Sequence, residues 1–238
     1  MSARTVPARP RLRPATVVVP VVVILLVVLA GLIIRESPAV TAWELGVVQA
    51  LSDAHAAPLD ALCLGINWLF SPPIAAVIVV LCALGVLGVT RRVRPLVAFV
   101  TLAVVPWLGN DLIKVIVARP RPDVTSLSHQ LIPAPSSFSY PSGHAAFAAS
   151  LCLALLFTVG AGRLRPLFLA VAVVVPVLTA FSRVYLGVHY PTDVVASLVY
   201  VTAAAILIDA LLNALFARLD RDHSAPDAHR SRLTRHGA

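Results

Sequence analysis

Long apolar blocks alternate with short polar gaps along this chain. Blocks at about 16–34 (TVVVPVVVILLVVLAGLII), 73–90 (PIAAVIVVLCALGVLGVT), 95–118, 142–161, 166–181 and 192–216 approach or exceed the ~20 residues that carry a helix through a bilayer. The pattern predicts an all-α fold, a bundle of six transmembrane helices. Between the first two blocks, ELGVVQALSDAHAAPLDALCLGINWLF keeps a helical period that Pro58 interrupts, and its apolar pieces are too short to span. This segment, within 35–72, is expected to form a pair of interfacial or re-entrant helices. Pro120 and Pro122 end the third block, and a polar Ser/Pro-rich loop runs on to Tyr140. The first block could pass for a secretory leader, with Val40 and Ala42 at cleavage spacing. Its apolar run of about 18 exceeds the usual run of roughly 7–15, which predicts an uncleaved anchor. Residues 1–15 are Pro- and Arg-rich, and 218–238 are charged with no apolar face. Both are expected to be disordered and cytoplasmic, leaving 16–217 as one membrane domain.

Composition excludes an ordinary soluble domain. Of 238 residues 59% are hydrophobic and 13% charged, where a soluble domain carries about 25%; the mean hydropathy is +0.90. The net charge of +8 does not indicate a nucleic-acid partner, because the basic residues are scattered among the block ends with no basic helix and no aromatic-basic interleaving. Cys63, Cys82 and Cys152 have no ligand spacing and are odd in number, so they read as small core residues rather than a disulfide framework or zinc site.

The basic residues do carry topology. With six spans, fourteen of the nineteen Lys and Arg residues fall on the side of the termini: Arg4, Arg9, Arg11, Arg13, Arg91, Arg92, Arg94, Arg163, Arg165, Arg218, Arg221, Arg230, Arg232 and Arg235. The positive-inside rule puts that side in the cytoplasm. Of the five on the other side, Lys114, Arg119, Arg121 and Arg183 gather near the ends of the third and fifth blocks, and only Arg35 stands apart.

Those cations belong to three polar segments, KVIVARPRP, YPSGH and SRVYLGVHYPTD, which six spans would bring to one outer face. Each has an ordinary structural reading alone. Lys114 could be a snorkelling anchor, Pro-Ser-Gly a turn and helix cap, and His189 with Asp193 an interfacial hydrogen-bonded pair. Ionisable groups near membrane depth are costly and functional by default, and three such segments on one face point to a site. The chemistry suits phosphate. Lys114, Arg121 and Arg183 can surround a dianion, the arginines through planar bidentate contacts. Ser142 and Gly143 begin the fourth block, where a helix N-terminus offers unpaired N–H groups and Gly permits close backbone approach. Asp193, four residues after His189, can fix one ring nitrogen and leave the other as a nucleophile. His144 is then free as general acid and base.

The set resembles the type-2 phosphatidic acid phosphatase superfamily, in its bacterial integral membrane branch, which shares its active site with vanadium haloperoxidases. The family pattern is Lys, six residues, Arg-Pro; then Pro-Ser-Gly-His; then Ser-Arg, five residues, His, three residues, Asp. Here these are Lys114 with Arg121-Pro122, Pro141 to His144, and Ser182-Arg183 with His189 and Asp193. The resemblance covers about 73–216. It implies His189 as the nucleophile forming a phosphohistidine, Asp193 orienting it, and His144 protonating the leaving oxygen and later activating water. Lys114, Arg121, Ser142, Gly143 and Arg183 would hold the phosphoryl oxygens, with no cofactor and no metal. The expected substrate is a lipid phosphomonoester or diphosphate cleaved outside the cytoplasm. A polyprenyl diphosphate such as undecaprenyl diphosphate, phosphatidic acid and phosphatidylglycerol phosphate are the candidates.

Three alternatives stand beside it: a vanadate-dependent haloperoxidase, a catalytically inactive lipid-binding or transport protein, and a metal hydrolase with His144, His189 and Asp193 as ligands. Asp53, His55, Asp60 and Trp68 could line a substrate entrance or form a solvated interfacial face. Asn110 and Asp111, within a turn of Lys114, are expected to be its structural partners.

Overall fold

The computed structural model describes residues 14–133 and 135–233, the side chains as far as 221. These residues form helices α1 (Pro14–Arg35), α2 (Pro38–Asp53), α3 (Ala57–Leu69), α4 (Pro72–Thr90), α5 (Val93–Val117), α6 (Gly143–Thr158), α7 (Arg165–Tyr185) and α8 (Pro191–Leu233). There are two short 3-10 turns and, among the described residues, no strand. Proline sits in the first turn of α2, α3, α4 and α7, where its missing N–H costs nothing. Ser37 caps α2 by accepting the Val40 N–H at 3.4 Å.

Five helices are long and apolar enough to cross a membrane: α1, α4, α5, α7 with its preceding turn, and α8 as far as Arg221. Helix α6 coincides with the fourth apolar block but has only 16 residues. At 1.5 Å per residue that is about 24 Å, short of a ~30 Å hydrocarbon core. It does not face lipid along its length. It is the central element, packed on α5, α7 and α8. Ala145, Ala146, Ala148, Ala149 and Ser150 on it are buried, and such small side chains let neighbouring backbones approach closely. Helix α1 lies against α8. The opposite faces of the outer helices carry exposed Leu and Val, Leu25, Leu29, Val77, Leu84 and Val173 among them, as lipid-facing positions require.

The segment expected to hold two short helices does so, as α2 and α3, and both pack on α7. Two boundaries move. Helix α1 begins at Pro14, and residues 1–13, expected to be disordered, lie outside the described residues. The tail expected to be disordered from 218 continues α8 as far as Leu233. The continuation extends a helix already started by the apolar run, which costs less than nucleating a new one, and Asp220 on it pairs with Arg94 of α5 at 2.5 and 2.9 Å.

Cys63 and Cys152 are buried and Cys82 half-buried, all as free thiols. The C-terminal ends of α1, α5 and α7 and the N-terminal ends of α6 and α8 meet at one end of the bundle. There Arg35 donates to Val117 O at 3.0 Å, and the Ser142 N–H donates to Asp193 O at 3.2 Å.

Candidate active site

The stretch from Ser182 to Asp193 folds as two helix ends joined back to back. Helix α7 closes through Gly187, whose φ of 72° is a conformation that favours glycine. Gly187 N–H donates to Val184 O at 3.0 Å and Val188 N–H to Arg183 O at 3.2 Å, the paired bonds of a Schellman motif. A Cβ at this position would also strike the Leu127 side chain. Helix α8 then opens with Pro191 as its first residue. Asp193, its third, reaches back to accept the Tyr190 N–H at 2.8 Å, the acidic half of a capping box. The four-residue spacing from His189 to Asp193 is therefore the spacing of a helix cap, and it brings His189 Nδ1 to 3.4 Å from Asp193 Oδ2.

That distance is long for a hydrogen bond, and His189 Nδ1 has no hydrogen-bond partner in the structure. Asp193 is otherwise engaged. Oδ2 also accepts the Ser139 hydroxyl at 2.7 Å, and Oδ1 accepts Arg119 at 2.8 Å. On the other side of the ring, His189 Nε2 lies 2.9 Å from Arg121 Nη1. Arg121 is held by Val188 O at 2.6 Å and by Ser137, whose O and Oγ accept at 2.7 and 3.0 Å. Burial lowers the Arg121 guanidinium to about 10, with Asp193 opposing the shift, so it stays charged at neutral pH. Burial also lowers His189 well below the ordinary imidazole range, and Arg121, Arg183, Lys114 and His144 add to the shift. A ring so placed faces cations that a bound anion would neutralise.

Helix α6 supplies the remaining wall. Ser142 is its N-cap residue but makes no capping bond, and its buried Oγ has no partner. Its backbone is anchored from α8, because Ser197 Oγ donates to Ser142 O at 2.9 Å. Gly143 follows at the first helical position. A Cβ built there would stand 3.7 Å from Lys114 Nζ, so the ammonium lies over the open N-terminal turn. Arg183 is 2% exposed and its Nε has no partner. Buried donors without acceptors are rare and costly, and an anion bound among them would satisfy Arg183 and Ser142 together. Among the described residues, no three His, Cys, Asp or Glu side chains are grouped to hold a metal ion, His144, His189 and Asp193 included.

All eight residues singled out from the sequence thus lie at one end of the bundle. Other expectations need correction. Asn110 is buried but turns to Pro141 O at 3.5 Å rather than to Lys114, and Asp111 is exposed and acts on Lys114 only through its charge. Of the residues read as an entrance or a solvated face, His55 and Asp60 are engaged with neighbouring elements. The His55 ring stacks on Tyr185 at 4.4 Å and on His129 at 5.2 Å, and the Tyr185 hydroxyl donates to Asp60 at 2.6 Å. Asp53 accepts from Ser128 at 2.5 Å. These contacts clasp the α2–α3 hairpin and the 124–130 loop onto α7; of the four, Trp68 alone projects freely, 65% exposed.

Sequence reasoning missed Glu44 and Asn67, and noted Arg119 as one of the clustered cations without giving it a role. Arg119 and Glu44, both buried, form an ion pair behind Asp193. Asn67 on α3 accepts Arg183 through Oδ1 at 2.7 Å, and its backbone O lies 3.3 Å from His144 Nε2. A lone acid and a lone amide in otherwise apolar helical stretches were the available signals.

Comparison with known proteins bears on the family and the fold. The family model described as the PAP2 superfamily matches residues 94–216. The chain is 36% identical over 127 residues to the undecaprenyl-diphosphatase BcrC of Bacillus subtilis, which covers 53% of this chain and 62% of that protein. It is 33% identical over 132 residues to a decaprenylphosphoryl-5-phosphoribose phosphatase of Mycobacterium tuberculosis, covering 56% of this chain and 70% of the relative. The chain spans less than two thirds of the Bacillus relative's length. Its fold is shared with the crystal structure of a transmembrane PAP2 type phosphatidylglycerolphosphate phosphatase from Bacillus subtilis. That match has a TM-score of 0.66 at 24% identity and covers 84% of this chain and 96% of the other.

Proposed function

The chain belongs to the PAP2 superfamily, and from that premise we propose that it is an integral membrane lipid phosphatase acting through a phosphohistidine at the extracytoplasmic face. One observation carries the reading. The neutral His189 ring stands 2.9 Å from Arg121, beside the unpartnered donors of Arg183 and Ser142. A phosphoryl group bound by Lys114, Arg121, Arg183 and the Ser142–Gly143 turn would have its phosphorus within reach of His189 Nε2.

His189 Nε2 attacks phosphorus and the bond to the leaving oxygen breaks, with His144 giving that oxygen a proton. Water then attacks the phosphohistidine, His144 takes its proton, and phosphate leaves with the imidazole restored. Asp193 faces Nδ1 throughout and stabilises the positive charge that the ring acquires. The fixed cations act where negative charge develops on the phosphoryl oxygens.

Helix α6 counts as the sixth crossing helix, its shortness offset by burial among longer neighbours. Six crossings and the fourteen-to-five split of Lys and Arg together support cytoplasmic termini, with α2 and α3 at the outer interface. In a background without the three native cysteines, Ser126→Cys should react with a membrane-impermeant thiol reagent in intact cells and Ala161→Cys should not. The reverse labelling would invert the topology.

A site beside the bilayer at span ends suits a phosphate carried by a lipid. The relatives named for undecaprenyl diphosphate and decaprenylphosphoryl-5-phosphoribose support a polyprenyl chain. The deciding experiment is phosphate release by the purified protein from undecaprenyl diphosphate, phosphatidic acid and phosphatidylglycerol phosphate. We expect release, fastest from the polyprenyl diphosphate; no release from any of the three sinks the reading.

A further inference from the structure

Helix α2 lies outside the residues matched to the superfamily, 94–216, yet one of its side chains reaches the turn that carries the nucleophile. Glu44 is fully buried. Its Oε2 accepts Arg119 Nη2 at 2.7 Å, and its Oε1 accepts the Thr192 N–H at 2.6 Å, one of the open donors in the first turn of α8. Arg119 spends its other amino group on Thr192 Oγ1 at 2.9 Å and Asp193 Oδ1 at 2.8 Å. Its guanidinium also lies over the Tyr190 ring at 4.1 Å. One guanidinium is therefore shared between two buried carboxylates, and the three side chains together keep a net charge of about −1.

The sharing has an electrostatic consequence. Were Arg119 to face Asp193 alone, the pair would be neutral, and His189 would feel little of the aspartate's charge. Glu44 draws off part of the guanidinium's charge and fixes its plane, so Asp193 stays anionic towards the imidazole. We propose that Glu44 is a positioning residue for the hydrolysis: through Arg119 and the Thr192 amide it orients Asp193 and preserves its negative charge towards His189. The proposal rests on His189 being the nucleophile, as proposed above. The groups that face His189 are Lys114 from α5, Arg121 from the loop after it, His144 from α6, Arg183 from α7 and Asp193 from α8. All but Asp193 disfavour the imidazolium, so a loss of anionic charge on the Asp193 side has no local compensation.

The test uses the full-length protein in detergent, with Glu44→Gln and Glu44→Asp beside the wild type, on whichever lipid the wild type hydrolyses. Glu44→Gln keeps an oxygen acceptor and removes the charge. Its kcat should fall about 10- to 100-fold, as small misplacements of reacting groups do, with KM little changed. Removing an anion disfavours the imidazolium, so the acidic limb of its kcat/KM profile should also move to lower pH, by roughly half a unit or more. Glu44→Asp restores the charge with a shorter reach, so its kcat should be intermediate and its limb should sit where the wild type's does. A wild-type kcat in Glu44→Gln, or a reduced one whose acidic limb has not moved, overturns the proposal. If Glu44→Gln aggregates, Glu44→Asp decides: a displaced limb or an unreduced kcat overturns it. An inactive wild type brings down the phosphatase reading and this proposal with it. An active wild type indifferent to Glu44 removes only this proposal.

Discussion

Each end of the helical bundle carries an arginine gripped by carboxylate. At the end away from the site, Arg94 binds both oxygens of Asp220, at 2.5 and 2.9 Å, and lies over Phe216. The two side chains are 49% and 60% exposed. At the site end, Arg119 binds Glu44 and Asp193 at similar distances, but its side chain is 2% exposed and the two carboxylates not at all. The contact chemistry is the same and the consequences are not. Water and salt screen the first pair, and its partners are solvated whether or not they meet. The second has been removed from water, so losing one member strands charge in the interior. The site end of the bundle is thus built around buried charges that depend on one another.

The sharpest break in that comparison is at His189. His189→Ala should abolish turnover and leave no covalent phosphoenzyme with any substrate, as read by trapping labelled phosphate. Label of acid-labile, base-stable character persisting in that variant would move the nucleophile elsewhere. Next in size is His144→Ala. It should lose about 10²–10⁴-fold on a lipid phosphomonoester, in line with general acid catalysis, and less in phosphoenzyme formation from an activated aryl phosphate, whose leaving group needs no proton. Equal losses on both would deny His144 the acid's role.

Stability separates the two arginines. Arg119→Ala leaves Glu44 and Asp193 buried and unpaired and should cost about 3–5 kcal/mol by denaturant titration in detergent. Arg94→Ala should leave the melting temperature unchanged within error. Comparable losses would mean that burial does not distinguish the ends.

The smallest expected effect is on pH. His189 is held well below its ordinary value, chiefly by burial, and so binds its proton only at lower pH than a free imidazole. Phosphoenzyme formation from the aryl phosphate should stay flat as pH falls through about 6.5, the usual imidazole value. A limb at or above that value would show a solvated ring. The same depression costs stability on the acid side. Below the unfolded-state value the unfolded chain binds the proton and the folded one does not, so this residue destabilises the fold progressively as pH falls towards its folded value.

Particular residues show why some of this was legible in the chain and some was not. The spans were legible because lipid demands uninterrupted apolar runs, and α1, α4, α5 and α7 fall within a few residues of the expected limits. The turn that carries His189 was legible because its parts are local. Gly187, Pro191 and Asp193 act on backbone groups a few residues away, so their spacing is written in sequence. Glu44 and Arg119, 75 residues apart, carry no such spacing and meet only because the folded chain brings Glu44 of α2 to Arg119 and to the Thr192 N–H at the start of α8. Asn67 reaches Arg183 across 116 residues in the same way. His55 and Asp60 had the composition of an entrance or a solvated face, but both contact Tyr185, one by stacking and one by a hydrogen bond, and no local pattern encodes contacts between separate elements. By itself, the sequence determined a membrane-embedded helical chain with three polar motifs at its span ends, because hydropathy and helix capping are settled within one or two turns of backbone. Only the tertiary structure decided which charges share a buried partner, because desolvation depends on everything packed around a group and not on its neighbours along the chain.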